Sequence, residues 1–176
     1  MSQSIIFSGK IEEIGKGFRL DELSDEYTIK LWTPSLSRFV PQSYPKKYFL
    51  YWIFHFFRIF RNNNYSSVLI YHKGKVVSCI LAIPAYFKWP FMGKYDVQIA
   101  YVITDTNYRG KGLAAAAILE SVKNLLNKNV QNIWYVTSVD NTSSIKLCTK
   151  LGFQKIGYGA RKYFLKFLHI LQLSPA

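Results

Sequence analysis

The segment Tyr108–Ile118 (YRGKGLAAAAI) constrains the fold of this chain most, because it places a glycine-rich turn directly before a helix. The residues ahead of it, Val97–Thr104 (VQIAYVIT), are rich in β-branched and aromatic side chains, which favour a strand. Behind it, apolar residues recur at helical spacing, namely Ala115, Ile118, Leu119, Val122, Leu125 and Leu126. The sequence therefore predicts a strand, a short turn and an amphipathic helix in direct succession.

The chemistry of this turn favours a phosphate ligand. Its two glycines, Gly110 and Gly112, let backbone N–H groups converge on one point. The first turn of the following helix leaves its own N–H groups unpaired, at the positive end of the helix dipole. We therefore expect a pyrophosphate group there. Taken alone, the turn is also typical of a solvated surface loop in which Arg109 and Lys111 face water.

Length and cysteine content predict one domain that needs neither disulfides nor metals. A chain of 176 residues can bury most of the surface that its unfolded form exposes. The two cysteines, Cys79 and Cys148, are too few for a disulfide framework or a cysteine-based zinc site. We therefore expect no metal site. The N-terminal sequence MSQSIIFSGK lacks the pattern of a secretory signal, so we expect a cytoplasmic protein.

The charge of the chain favours small anionic partners. Its formal net charge is +13, from 23 Lys and Arg against 10 Asp and Glu, which attracts anions in general. The basic residues are spread from Lys10 to Lys166, and no nucleic-acid-binding motif accompanies them, so we expect no nucleic-acid partner. A surface that serves only solubility is the alternative.

One strongly apolar run, Tyr48–Phe60 (YFLYWIFHFFRIF), is interrupted by His55 and Arg58. It is shorter than the ~20 residues that a membrane-spanning helix needs, so we expect no transmembrane segment. The run predicts a buried or half-buried helix. Two further readings stay open: its aromatic side chains could line a substrate pocket, or the helix could lie in a membrane interface.

The predicted elements follow the order β, α, β, β, β, α, β, α, β, which indicates an α/β or α+β domain with a mixed sheet. We assign residues 27–176 to this domain and residues 1–26 to an N-terminal extension, in which Ile5–Phe7 could form a short edge strand. The other predicted strands are Tyr27–Trp32, Ser67–Tyr71, Val76–Ile83, Ile133–Val139, Phe153–Tyr158 and Tyr163–Leu171. The other helices begin near Lys46 and span Thr142–Leu151, with Gly152 as the cap.

A second motif, Asn141–Phe153 (NTSSIKLCTKLGF), has an Asn after a strand and a helix closed by Leu-Gly-Phe. It resembles the second signature of the GCN5-related N-acetyltransferase (GNAT) superfamily. The first signature of that superfamily, Gln/Arg-x-x-Gly-x-Gly/Ala, is matched by Arg109, Gly112 and Ala114. The resemblance covers roughly Tyr27–Leu171.

The resemblance implies a mixed, mostly antiparallel sheet of about seven strands flanked by helices, whose fourth and fifth strands splay apart around the pantetheine arm of an acyl-CoA. Backbone groups of Val102, Ile103 and Thr104 would pair with the pantetheine amides. Asn141 and Ser144 would contact its far wall. The pyrophosphate would be held by the main-chain N–H groups of Arg109, Gly110, Lys111, Gly112, Leu113 and Ala114. A Cβ at Gly112 would crowd that phosphate.

The implied chemistry is attack of a primary amine on the thioester of acetyl-CoA or another short acyl-CoA, with a main-chain N–H near Thr104 as the oxyanion donor. Relatives often carry a Tyr as acid where this chain has Cys148, and a Glu as base where it has Gln98. The sequence leaves Cys148 as the candidate acid, with Tyr158 and Tyr163 as weaker ones. The candidate bases are Asp96, expected to face water, then His55, His72 or a chain of waters.

The acceptor class that charge and aromatic content favour is a nucleotide-linked amino sugar, which some superfamily members acylate for surface polysaccharides. An anionic acceptor suits the basic surface, whereas polyamines and lysine-rich tails would be repelled. The alternatives are a protein, peptide or antibiotic N-acetyltransferase, a non-catalytic CoA-binding module and a peripheral membrane acyltransferase. The sequence leaves a homodimer open.

Overall fold

The computed structural model describes residues 3–18, 23–165 and 168–175, with the backbone alone at residues 160–165, 168–170 and 175. Within these residues eight strands form one sheet in the order β2-β3-β4-β5-β6-β1-β7-β8. The strands are β1 (Ser4–Lys10), β2 (Tyr27–Trp32), β3 (Ser66–His72), β4 (Lys75–Pro84), β5 (Val97–Thr104), β6 (Asn132–Ser138), β7 (Gln154–Leu165) and β8 (Leu168–Pro175). The helices are α1 (Phe49–Phe56), α2 (Leu113–Leu125) and α3 (Thr142–Lys150), and 3-10 turns cover Lys46–Tyr48 and Thr106–Tyr108.

The sheet is mixed and mostly antiparallel, as predicted. Neighbouring strands pair antiparallel except β5 and β6, which run parallel. Counted from β2, these are the fourth and fifth strands in sequence. The expected α+β architecture of strands flanked by helices is therefore confirmed.

The expectation of a short edge strand at Ile5–Phe7 is wrong. Strand β1 lies inside the sheet, antiparallel to β6 on one side and to β7 on the other. Its residue Ile6 is completely buried. Part of the segment assigned to the N-terminal extension therefore belongs to the sheet. The local sequence did not show this, because both partner strands come from the far end of the chain.

The predicted break between Tyr158 and Tyr163 is also wrong, since β7 continues to Leu165. Two glycines of β7, Gly157 and Gly159, allow β8 to approach closely. A Cβ at Gly157 would collide with the carbonyl oxygen of Ser174, and one at Gly159 would lie 2.7 Å from a methyl of Leu171.

The two faces of the sheet bury different side chains. One face packs against α2 and α3 through aliphatic residues such as Ile99, Ile118 and Ile133. The other face carries a cluster rich in aromatic residues, including Trp89 and Trp134, against which α1 packs. Because side chains alternate along a strand, β5 directs Val97 and Ile99 to the helical face and Ala100 to the aromatic face.

Candidate active site at the fork of the sheet

Strands β5 and β6 pair over only three residues each and then separate. Their parallel pairing joins Val97–Ile99 to Ile133–Tyr135 and stops there. At the same point β5 bulges, because Ala100 pairs with Leu81 while Ile103 pairs with Cys79. The extra residue falls at Tyr101, whose φ is +52°. The bulge bends the outer half of β5 and opens a fork in the sheet.

The glycine-rich turn lies where β5 leads into α2. Gly110 and Gly112 have φ values of +78° and +75°, in the left-handed region that side chains disfavour. Gly112 is the N-cap of α2, and no side chain caps it. The first helical hydrogen bond runs from the N–H of Ala116 to the carbonyl of Gly112, so the N–H groups of Leu113, Ala114 and Ala115 have no acceptor within the helix.

This turn fits a pyrophosphate. Its residues Arg109–Gly112 are exposed, and the first turn of α2 holds no acidic residue. Arg109 is held back on β5, where its Nε donates to the carbonyl of Thr104 at 3.3 Å. The Nζ of Lys111 lies 5.2 Å from the ring centre of Tyr108. Unpaired N–H groups, flanked in sequence by Arg109 and Lys111, thus lie where a helix dipole favours negative charge.

The outer half of β5 offers its edge to the fork. Ile103 is 45% exposed, and its carbonyl accepts a hydrogen bond from Ser78 Oγ at 3.3 Å. The hydroxyls of Ser78 and Thr104 lie 2.9 Å apart, which fixes the end of the strand on β4. The edge of Val102–Thr104 that faces the fork has no strand partner among the described residues. It is therefore open to an extended ligand such as pantetheine.

Asn141 and Ser144 lie at the start of α3, behind β6. The side-chain carbonyl of Asn141 accepts hydrogen bonds from Ser144 N at 3.1 Å and Ser143 Oγ at 2.9 Å, so this residue caps the helix. Ser144 Oγ accepts from the Tyr135 hydroxyl at 3.3 Å. Burial raises the pKa of Tyr135 to about 12, which keeps that hydroxyl a donor. The second motif is thereby fixed to the strand beyond the fork.

A cavity of about 260 Å³ opens at the fork, and its lining includes residues of the aromatic face. The sides come from Gln98, Ala100 and Tyr101 of β5 and from Val136, Thr137 and Ser138 of β6. Ser4, Tyr51, Ile83, Lys88, Trp89 and Leu171 complete it. We call this cavity the acceptor pocket.

Gln98 lines the acceptor pocket and carries a buried polar atom without a partner. Its side chain is 3% exposed, yet its carbonyl oxygen Oε1 has no hydrogen-bond partner among the described residues. Leaving a buried acceptor unpaired costs roughly 1–3 kcal/mol, so the position is typical of one that a ligand satisfies.

Tyrosines form the wall of the acceptor pocket toward α1. The hydroxyls of Tyr51 and Tyr101 lie 2.9 Å apart, and the Tyr44 hydroxyl donates to the carbonyl of Tyr101 at 3.1 Å. The ring of Tyr48 meets that of Tyr101 edge to face, with centres 4.8 Å apart. Burial raises the pKa of Tyr44 and of Tyr51, so both keep their protons and hold the bulge in place.

The three candidate catalytic residues do not meet in the pocket. Cys148 is completely buried on the helical face, and burial raises the pKa of its thiol to about 12. His55 lies on α1 next to Phe56 and Tyr65, and burial lowers its pKa. None of the pocket's lining residues is Cys148, His55 or Asp96.

The sequence predicted that Asp96 faces water, and this prediction is wrong. In the structure Asp96 is only 2% exposed. Its carboxylate accepts hydrogen bonds from Gly93 N at 2.7 Å, Asn132 Nδ2 at 3.0 Å and Trp134 Nε1 at 2.8 Å. These three donors tie β6 to the loop before β5, next to the parallel pairing. The arrangement is that of a structural carboxylate.

The remaining candidates lie elsewhere. His72 lies between the Tyr108 hydroxyl at 2.9 Å and Glu26 at 3.2 Å, on the β3–β4 side of the turn. The Tyr158 hydroxyl accepts from Lys155 Nζ at 2.8 Å on β7. The side chain of Tyr163 lies outside the described residues.

The sequence analysis missed Trp89, Tyr51 and Tyr101 as individual pocket residues. They come from a loop, a helix and a strand that only the fold brings together. The aromatic content of Tyr48–Phe60 was the available signal: Tyr51 lines the cavity, and the use of that cavity by an acceptor stays a proposal. Among the described residues, no helix combines the length and hydropathy that crossing a bilayer requires.

Comparison with known proteins agrees with this geometry. The family model described as "Acetyltransferase (GNAT) family" matches residues 26–153. Over 85 residues the chain is 27% identical to an N-alpha-acetyltransferase MAK3 of Arabidopsis thaliana. The aligned region covers 48% of this chain and 43% of that protein.

Two solved structures show the same fold at low identity. A tandem GNAT protein from the clavulanic acid biosynthesis pathway has a TM-score of 0.62 at 12% identity, covering 88% of this chain and 50% of that one. The ribosomal-protein-S18-alanine N-acetyltransferase of Escherichia coli has a TM-score of 0.52 at 14% identity, covering 82% and 88%. The chain thus spans half or less of the first two relatives. With its forked sheet, its glycine-rich turn and a family match over residues 26–153, the chain belongs to the acetyltransferase (GNAT) family.

Proposed function

We propose that this protein is an acyl-CoA-dependent N-acyltransferase that moves an acetyl or other short acyl group to a primary amine. The observation that carries the proposal is the fork itself. It joins a turn suited to pyrophosphate, at one end of β5, to a pocket with an unpaired buried acceptor, Gln98 Oε1, on the same strand.

The residues present fit an acyl-CoA. Main-chain N–H groups of Gly110–Ala114 would hold the pyrophosphate, whereas that of Arg109 already donates to the carbonyl of Thr106 at 3.4 Å. The edge of Val102–Thr104 that faces the fork would pair with the pantetheine amides. Asn141 and Ser144 would border the other side from α3. The bound acyl-CoA supplies the thioester whose acyl group is transferred.

The acceptor pocket would prepare the amine for attack. An alkyl ammonium has a pKa near ~10, and a desolvated site favours its neutral form. Gln98 Oε1 would accept a hydrogen bond from the neutral amine and so direct its lone pair toward the fork. A main-chain N–H of Tyr101–Thr104 would stabilise the oxyanion. A C–N bond forms, and the nitrogen of the resulting tetrahedral intermediate gives up one proton. The C–S bond then breaks, and the departing thiolate takes up one proton, directly or through water, so that the products are the amide and the free CoA thiol.

For the acceptor we propose a nucleotide-linked amino sugar. Trp89 and Tyr101 provide aromatic surface for a sugar ring, and Lys88 Nζ lies 5.0 Å from the ring centre of Trp89. The net charge of +13 favours the nucleotide diphosphate. The same proposal includes a role for this reaction in the synthesis of surface polysaccharides.

A peptide α-amine is the second candidate. It is favoured by the names of two similar proteins, an N-alpha-acetyltransferase and a ribosomal-protein-S18-alanine N-acetyltransferase. The basic surface would suit an acidic peptide.

The test is the release of free CoA thiol across a panel of amines, with acetyl-CoA and longer acyl-CoAs as donors. We expect turnover with acetyl-CoA and a higher kcat/KM for amino-sugar nucleotides than for the free amino sugars. Equal values for the two would refute the nucleotide preference, and faster turnover of peptides would establish the second candidate. Tight binding of CoA without turnover of any amine would make the protein a CoA-binding module.

A further inference from the structure

Helix α1 is apolar on every side, yet none of its residues is buried. Its sequence, FLYWIFHF, contains one polar residue, His55. Phe49 is 41% exposed and Leu50 is 51% exposed. A helix that is apolar all round is ordinarily enclosed, so something outside the described fold is expected to cover this one.

The exposed side chains of α1 continue onto the neighbouring loops as one surface. The rings of Phe39 and Phe49 both contact Trp52, at centre distances of 5.0 and 5.1 Å, and Trp52 contacts Phe56 at 4.6 Å. Leu36 and Phe57, at the margins, are 77% and 74% exposed. We define the α1 apolar face as Leu36, Phe39, Phe49, Leu50, Phe56 and Phe57.

The stretch of chain that contains this face carries charge of one sign. Residues 27–95 contain ten of the 23 Lys and Arg residues and none of the ten Asp and Glu residues. Five of these cations, Arg38, Lys46, Lys47, Arg58 and Arg61, are exposed and precede, interrupt or follow the segments that form the α1 apolar face. Within the described residues, none of the five forms an ion pair.

We propose that the α1 apolar face docks the protein on an anionic membrane surface. Aromatic side chains are favoured at the level of lipid headgroups, and a short apolar helix with flanking Lys and Arg lies in that plane without crossing it. Each basic residue near an anionic leaflet adds attraction. A second copy of this chain suits the face less, because pairing would bring Lys46, Lys47 and Arg58 against their own counterparts.

Docking would bring the acceptor pocket to the membrane. Tyr51, which lines the pocket, lies on the same helix as Phe49 and Leu50, and an α-helix is only about 10 Å across. If the proposed function holds, the amine would then be acylated close to the lipid surface. The docking itself needs no turnover, so it can be tested separately.

The experiment is co-sedimentation of the full chain with vesicles of phosphatidylcholine alone and with added phosphatidylglycerol. We expect binding to the anionic vesicles that rising salt weakens. Lys46→Glu with Lys47→Glu should weaken partitioning by more than about tenfold. Leu36→Ser with Phe57→Ser should weaken partitioning similarly, because it removes apolar surface that would enter the membrane interface. Both side chains are exposed, so their replacement leaves the core unchanged.

Matched controls separate a docking face from diffuse attraction. Lys73→Glu with Lys75→Glu makes the same change in net charge on the β3–β4 hairpin, and Leu126→Ser with Ile156→Ser removes two exposed apolar side chains outside the face. Both controls should bind like wild type. The proposal is overturned if wild type stays in the supernatant or if the controls lose binding equally. It is also overturned if wild type is a dimer that Leu36→Ser with Phe57→Ser makes monomeric and neither form binds vesicles.

Discussion

Tyr51 on α1 and Tyr101 on β5 are joined by a hydrogen bond of 2.9 Å between their hydroxyls. Tyr101 is the bulged residue of β5, with a φ of +52° that a side chain adopts only at a cost. Its carbonyl is held by the Tyr44 hydroxyl at 3.1 Å. Two tyrosines from outside the sheet therefore stabilise the conformation that opens the fork.

Tyr51→Phe should raise the KM for the amine several-fold and leave the KM for acyl-CoA unchanged. The lost hydrogen bond is worth about 1 kcal/mol, and it frees the Tyr101 ring in the acceptor pocket. Because burial raises the pKa of Tyr51, its hydroxyl stays protonated and the effect should be the same between about pH 6 and pH 9. Tyr71→Phe, which loses a 2.9 Å bond to Gln42 outside the pocket, is the control for steady-state kinetics.

Gly112→Ala should weaken CoA binding as well as the fold. The left-handed backbone at Gly112 disfavours a side chain by about 1 kcal/mol, and in the proposed binding mode a Cβ there would crowd the pyrophosphate. Gly74→Ala is the control, because Gly74 has a φ of +76° and an added Cβ meets nothing within 4 Å. Calorimetric titration with CoA should show a raised Kd for the first variant only. Equal Kd values for the two would show that Gly112 serves only the turn.

Asp96→Asn should destabilise the fold by about 2–3 kcal/mol, because an amide cannot accept from all three donors that the carboxylate satisfies. Denaturant unfolding measures this. Asp105→Asn, whose amide oxygen can still accept from Asn107 N at this exposed position, should cost less than about 1 kcal/mol. If Asp96→Asn keeps its stability and loses kcat, Asp96 is a base after all.

The sequence predicted correctly those strands whose pattern of side chains is contained within one segment. Val97–Thr104 and Tyr27–Trp32 have the predicted bounds because strand periodicity can be read within one segment. Strand β1 was indicated only at Ile5–Phe7, and its central place in the sheet could not be predicted from that segment, since its partners β6 and β7 come from the other end of the chain. The end of β7 was placed too early because the sequence between Tyr158 and Tyr163 does not show that Gly157 and Gly159 allow β8 to approach closely.

The candidate site also contains residues that the local sequence identifies and residues that only the fold brings together. The phosphate turn depends on backbone geometry that glycines encode, so Gly110 and Gly112 could be found from sequence. The acceptor pocket depends on side chains from separate segments, such as Trp89 and Tyr51. Whether Asp96 meets water or the Trp134 indole is decided by packing between strands, which composition and periodicity do not contain.

Cys148→Ala should leave kcat within about threefold of wild type, because a buried thiol whose pKa is raised is a poor proton donor. The folded state keeps this thiol protonated better than the unfolded state does. Its stabilising contribution is therefore complete below pH 9.0 and is lost as the pH rises to about 12. Unfolding across that range should depend less on pH for Cys148→Ala than for wild type. A loss of kcat beyond about a hundredfold with an intact fold would instead support an acid role.

Gln98→Leu should lower kcat/KM for the amine by about tenfold without lowering the free energy of unfolding. Leucine removes a buried acceptor, Oε1, that has no partner in the described structure, so folding loses no hydrogen bond at that atom while the amine loses the group proposed to orient it. Gln98→Glu is the informative companion, because burial would raise the pKa of the new carboxyl and the carboxylate could take a proton from the ammonium. We expect the pH profile of kcat/KM for Gln98→Glu to gain an ionisation absent from wild type. Unchanged amine kinetics in both variants, with CoA binding intact, would exclude Gln98 from the acceptor site.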